Sequence, residues 1–202
     1  GAEDLRFGMG SFAVAETAAA TVEALDDAGI GLDFISFHGY SNDPMQVVAR
    51  IRTVADALAA SDTLKDTQMA LAEWGPELGD LPDPWLMDQA LHAATVLALG
   101  SAAGLDRAHR AIFWAFYPGI HFGLLEKDVT ERSLHKAYRL MAQVITAGAH
   151  RLEPVSGAPG GELEGGLGAL LAARDSNGKV RVLFVNRNGE PRTAQIVLDG
   201  EP

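Results

Sequence analysis

The sequence predicts an α/β protein: a parallel sheet built from successive βα units, followed by a smaller antiparallel β module. Three observations carry this. Short apolar runs alternate with amphipathic helical stretches through the first three-quarters of the chain, a rhythm that makes right-handed βαβ units. After Gly148 the pattern changes to Gly- and Pro-rich turns and residues alternating at period two. The chain of 202 residues is 48% hydrophobic, enough for a sizeable core in one domain or two small ones.

Leu5 to Gly8 reads as a short strand. Thr17 to Ala28 is alanine-rich, with Val22 and Leu25 spaced as on one helix face. Phe34 to Phe37 is the second strand, entered through Gly29-Ile30-Gly31. Met45 to Ala60 is an amphipathic helix. Val47, Val48, Ile51, Val54, Ala55 and Leu58 recur at helical spacing, and Asp43-Pro44 supply the cap and first turn. Met69 to Ala72 is the third strand, apolar enough to be buried on both faces. Asp83-Pro84 opens a helix that runs through Leu99 and ends near Gly100 and Gly104. Ala111 to Phe116 is the fourth strand. Ser133 to Thr146 is the last helix, with Leu134, Tyr138, Met141 and Ile145 on one face.

Pro154 to Gly168 reads as a long loop or linker. Three strands follow, at Ala169–Ala173, Val180–Asn186 and Thr193–Leu198, with turns at Asn177-Gly178 and Asn188-Gly189. The domain expectation is therefore residues 1–148 for the parallel unit and 149–202 for the β module.

Composition excludes several classes. A formal net charge of −11 with no basic run argues against a nucleic-acid partner. With no cysteine, neither a disulfide framework nor a thiolate metal site is possible. No apolar run approaches the roughly eighteen residues that a spanning helix needs, and no signal peptide is visible. Cytoplasmic and secreted locations both stay open. The opening Gly1-Ala2-Glu3-Asp4 reads as an internal or trimmed start. There is no Gly-x-Gly-x-x-Gly loop, no Gly-x-Ser-x-Gly elbow and no spacing of His and carboxylates that would hold a metal.

The chemistry concentrates at strand ends. Met69-Ala70-Leu71-Ala72-Glu73-Trp74-Gly75-Pro76 is a buried strand closing on a carboxylate. Such a group is costly to bury unless it is paired or used, and the carboxyl ends of barrel strands carry catalytic groups. Glu73 is a candidate nucleophile; its structural alternative is a pair with a neighbouring Arg. His38 and Tyr40 lie just past the second strand in Ser36-Phe37-His38-Gly39-Tyr40, placed to hold that carboxylate or a substrate hydroxyl; a His capping its own loop is the alternative. Trp114, in Ile112-Phe113-Trp114-Ala115-Phe116-Tyr117, offers a flat apolar platform or plain core packing. His121 follows in a loop that could face the site. His92, His109, His135 and His150 read as structural or surface residues in or beside helices.

The order of these motifs resembles clan A glycoside hydrolases, most of all family 39, which includes β-xylosidases and α-L-iduronidases. The resemblance rests on Ser36-Phe37-His38-Gly39-Tyr40, Ala72-Glu73-Trp74-Gly75, Phe113-Trp114, Phe122-Gly123-Leu124-Leu125 and Ala137-Tyr138. It implies the C-terminal half, strands five to eight, of a (β/α)8 barrel, followed by a β-sandwich module. It further implies retention of anomeric configuration, Glu73 as nucleophile, and His38 and Tyr40 on substrate or nucleophile. Trp114 would be the subsite floor, with Trp74 and His121 beside the pocket, and no cofactor is required. The expected partners are an oligosaccharide or glycoside and the missing N-terminal half-barrel, from the same protein or a second chain. Two departures stand out. The family's acid/base Glu belongs to an Asn-Glu pair, and this sequence has no such dipeptide. The acidic pair expected after strand eight is replaced by Tyr117-Pro118-Gly119-Ile120-His121. A non-catalytic carbohydrate-binding or scaffold protein on a degenerate barrel is one rival reading, and another parallel α/β protein, such as a doubly wound hydrolase or binding protein, is the second.

Overall fold

The computed structural model describes residues 5–76, 87–110, 123–125, 128–154, 159–163 and 167–193. Four parallel strands stand in the order of the chain: β1 (Gly8–Phe12), β2 (Phe34–Tyr40), β3 (Gln68–Gly75) and β4 (Arg107–Arg110). Helices α1 (Ala15–Asp27), α2 (Pro44–Ala60) and α3 (Met87–Ala102) connect them, and α4 (Ser133–Val144) follows. A separate antiparallel sheet contains β5 (His150–Leu152), β6 (Glu162–Leu163), β7 (Gly168–Arg174) and β8 (Val180–Asn186). In it β7 is central, with β5 and β6 on one edge and β8 on the other.

Helix α2 forms where the cap and stripe predict it. The Asp43 carboxylate accepts from the Met45 amide at 3.0 Å, and Pro44 occupies the first turn. Its stripe of Val47, Val48, Ile51, Val54 and Leu58 is buried. Strand β2 alternates strictly: Ile35, Phe37 and Gly39 are buried, while Ser36, His38 and Tyr40 face the more open side. The buried side meets the helices in a core of Ala15, Val22, Ile35, Phe37, Ile51, Val54, Leu71 and Trp74, among others. A second core joins α3 and α4 to the antiparallel sheet through Ala94, Leu99, Met141, Leu171 and Val185. Among the described residues the antiparallel strands thus form one sheet covered by helices, with no second sheet facing it.

Two elements depart from the sequence reading. Strand β1 begins at Gly8 rather than ending there; Leu5 and Phe7 are 65% and 70% exposed. Asp33 clamps Phe7 from both directions, taking its amide at 2.6 Å and donating to its carbonyl at 2.7 Å, and the ladder starts immediately after. The strand then runs through glycines because its neighbour leans on it: a Cβ at Gly8 would collide with the Phe34 ring. Strand β4 begins in the polar run Arg107-Ala108-His109-Arg110, which has no strand signature; the expected Ala111–Phe116 lies outside the described residues. His109 and His150 accordingly sit in strands, not beside helices. The third antiparallel strand expected at Thr193–Leu198 falls almost wholly outside the described residues.

Candidate functional site

Glu73 reaches the site through a defect in the sheet. Phe37 pairs with Leu71 but His38 pairs with Glu73, so Ala72 is an extra residue in β3. The β3–β4 ladder skips at the same place, between the Leu71–Ala108 and Trp74–Arg110 pairs. Strict alternation from Met69 and Leu71 would turn Glu73 toward the helices. The bulge reverses that parity, as bulges beside active sites do, although they are rare between parallel strands. Glu73 therefore shares a face with His38 and Tyr40.

The three side chains converge there. The Tyr40 hydroxyl donates to Glu73 Oε2 at 3.1 Å, and His38 Nδ1 lies 3.9 Å from the same oxygen. The His38 and Tyr40 rings meet edge to face at 6.4 Å, fixing each other's orientation. Glu73 is about half exposed and His38 far less so, which leaves the carboxylate open to an incoming group. Burial, then the hydrogen bond to Glu73, pushes the Tyr40 phenol up to about 12, so it stays a proton donor at any ordinary pH. Gly39 sits between the two ring residues because a Cβ there would press on Leu71 and Val47 at 3.0 Å each.

Behind this face the packing is tight. Trp74, expected beside the pocket, is fully buried on the helix side of the sheet instead. The bulge that turns Glu73 outward keeps its neighbour in the core. There Trp74 stacks on His92 of α3 at 6.4 Å and 16°. The Arg110 guanidinium lies 5.0 Å above the indole. Its nitrogens are buried with no hydrogen-bond partner among the described residues, and burial pulls its pKa down to about 10. Gly75 follows at φ 154°, and an added Cβ would lie 2.9 Å from Arg110 Nη1.

One residue escaped the sequence reading. Ala108 packs into the core and Arg110 lies over Trp74, so alternation along β4 puts His109 on Glu73's face, opposite the bulge. Its only sequence signal would have been the place of β4. Trp114 and His121 lie outside the described residues. Among the described residues no group of three His, Asp or Glu could hold a metal ion, and no helix is long and apolar enough to cross a membrane.

No protein-family model matches the chain, and no curated protein is similar to it. Solved structures do match. A GH39 β-xylosidase from Caulobacter crescentus aligns over 87% of this chain and 38% of its own, at 18% identity and a TM-score of 0.58. The GH39 enzyme from Xanthomonas axonopodis pv. citri aligns over 87% and 37%, at 18% identity and 0.59. A GH51 arabinofuranosidase from the same organism aligns over 91% and 43%, at 12% identity and 0.58. The chain thus spans less than half the length of each. Over that span it has a glycoside hydrolase fold of the GH39-like kind.

Proposed function

We propose that this chain is the nucleophile-bearing part of a retaining glycoside hydrolase, corresponding to strands five to eight of a (β/α)8 barrel. The observation that carries the reading is the Glu73 carboxylate, turned onto the open sheet face by a bulge and gripped by the Tyr40 hydroxyl at 3.1 Å with His38 alongside. In this reading Glu73 attacks the anomeric carbon of a glycoside and holds the sugar as a covalent ester. Tyr40 and His38 fix the attacking oxygen and lie within reach of sugar hydroxyls. Trp114 and His121 remain proposed substrate contacts.

Retention needs a second carboxyl about 5–5.5 Å away, to protonate the leaving oxygen and then activate water. No carboxylate of β1 to β4 other than Glu73 reaches the open face, since these strands contain no other Asp or Glu. The partner carboxyl comes from the N-terminal half-barrel, in the same protein or a second chain. The exposure of Leu5, Phe7 and Met9 at and beside the β1 edge supports such a completion, because an open apolar sheet edge invites association.

The test is Glu73→Gln in the complete enzyme, which keeps shape and removes the charge. Turnover of aryl glycosides should disappear while the thermal unfolding midpoint stays put. Hydrolysis near the wild-type rate would remove the assignment.

A further inference from the structure

Tyr40 is the last residue of β2, a place where a strand frays unless its backbone is held. The peptide that joins it to Ser41 is held on both sides. Its N–H, on Ser41, donates to the Gly75 carbonyl of β3 at 3.0 Å. Its carbonyl, on Tyr40, points the opposite way across a trans peptide, toward the β1 side. The β1–β2 ladder runs only as far as the Phe12–Phe37 pair, so the sheet itself offers that carbonyl no partner.

Arg50 of α2 takes the place of the missing strand. Its part-buried guanidinium donates from Nη1 to the Tyr40 carbonyl, a charge-assisted bond to a group left over at the sheet end. Close packing sets the reach. Val47 lies so near Gly39 that a Cβ there would meet it at 3.0 Å, and Arg50 follows three residues later on the same side of the helix. The turn beyond Tyr40 is pinned as well. The Ser41 carbonyl accepts from His92 Nε2 at 2.8 Å. The Ser41 hydroxyl accepts from the Asp43 amide at 3.1 Å and donates to Gln46 at 3.0 Å. The backbone of Tyr40 is thus fixed from the helix layer, while its side chain leaves on the open face toward Glu73 Oε2, 3.1 Å away. That bond has little slack: a shift of about 0.5 Å would carry it out of hydrogen-bond range.

We infer that Arg50 is a positioning residue, setting the phenol through the Tyr40 carbonyl and, through the phenol, the attacking oxygen of Glu73. Its effect on turnover rests on the hydrolase reading above; its hold on the Tyr40–Glu73 bond does not.

The test is a double-mutant cycle in the natural-length protein, with kinetics on an aryl glycoside and crystal structures of the wild type and of Arg50→Met, which fills similar space without a donor. Arg50→Met should lower kcat about tenfold, no more than Tyr40→Phe does, with KM moving far less. In a Tyr40→Phe background the same change should cost less than about twofold, since the group it acts through is gone. Arg50→Lys keeps a donor on a flexible stem and should lose less; it carries the same cycle where Arg50→Met does not fold. In the Arg50→Met crystal the Tyr40 hydroxyl should stand more than about 3.5 Å from Glu73. An unchanged kcat, equal losses in both backgrounds, or a Tyr40–Glu73 bond that survives the substitution would overturn the inference. A wild type that fails to hydrolyse glycosides would count against the hydrolase reading alone, and the crystal distance would still decide the role of Arg50.

Discussion

Acidification should loosen this protein through His92. The imidazole is buried and stacked on Trp74, its Nε2–H is given to Ser41, and its pKa is held down to about 4 by burial above all. An unfolded histidine takes its proton near pH 6.5. The folded pKa is the lower of the two, so the contribution is complete above pH 6.5 and is lost as pH falls toward 4. At about 1.4 kcal/mol per tenfold, the whole window is worth about 3 kcal/mol, and about 2 of that is gone by pH 5. Against a typical total of roughly 5–15 kcal/mol this is a large share. The assay is urea unfolding at intervals between pH 7 and 4, on wild type and His92→Phe. The stability difference between the two should shift against wild type by about 2 kcal/mol between pH 7 and 5. A difference that holds constant across that range would refute the reasoning.

Other expectations can be checked alongside. Tyr40→Phe removes the hydroxyl that holds Glu73 and should lower kcat/KM about tenfold to a hundredfold, the worth of a hydrogen bond to a charged group; an unchanged value would free Tyr40 of that role. Gly75→Ala meets both an unfavourable φ of 154° and the Arg110 guanidinium, and should cost about 1–3 kcal/mol in denaturant unfolding. Trp74→Ala empties a fully buried site and should cost about 3–5 kcal/mol, a core effect rather than a loss of substrate affinity alone. Deleting Ala72 removes the bulge and should return Glu73 to the helix side, so activity should vanish even where circular dichroism shows the fold retained.

The helices and central strands were legible because their signals are local and agree. Asp43-Pro44 before a clean apolar stripe specifies α2, and Phe34–Phe37 and Met69–Ala72 are apolar runs between turn residues. Strand β1 starts later than the apolar run Leu5–Gly8 suggests, because its glycines serve the close approach of Phe34 and Ser36, a contact no local run reveals. The sequence Arg107-Ala108-His109-Arg110 hides a strand whose place is set by pairing with β3. The convergence of Glu73, His38 and Tyr40 followed from the rule that strand ends bear the chemistry, yet strict alternation would have pointed Glu73 toward the helices. The bulge that resolves this is a property of the paired sheet and not of any one segment. The resemblance placed Trp74 beside the pocket, but it neighbours Glu73 in the strand, and neighbours in a strand face opposite sides. Gln89 and His92 read as ordinary helix residues because nothing in their spacing tells that α3 is covered on all sides, by the parallel sheet, by its neighbouring helices and by β7.

The most direct test of the account is to trap the reaction on the complete enzyme with a 2-deoxy-2-fluoro glycosyl inhibitor and to map the adduct by peptide mass spectrometry. The account predicts a single glycosyl ester on Glu73, within the peptide spanning Met69 to Gly75. An ester on another carboxylate, or turnover that inverts the anomeric centre with no adduct at all, would contradict it.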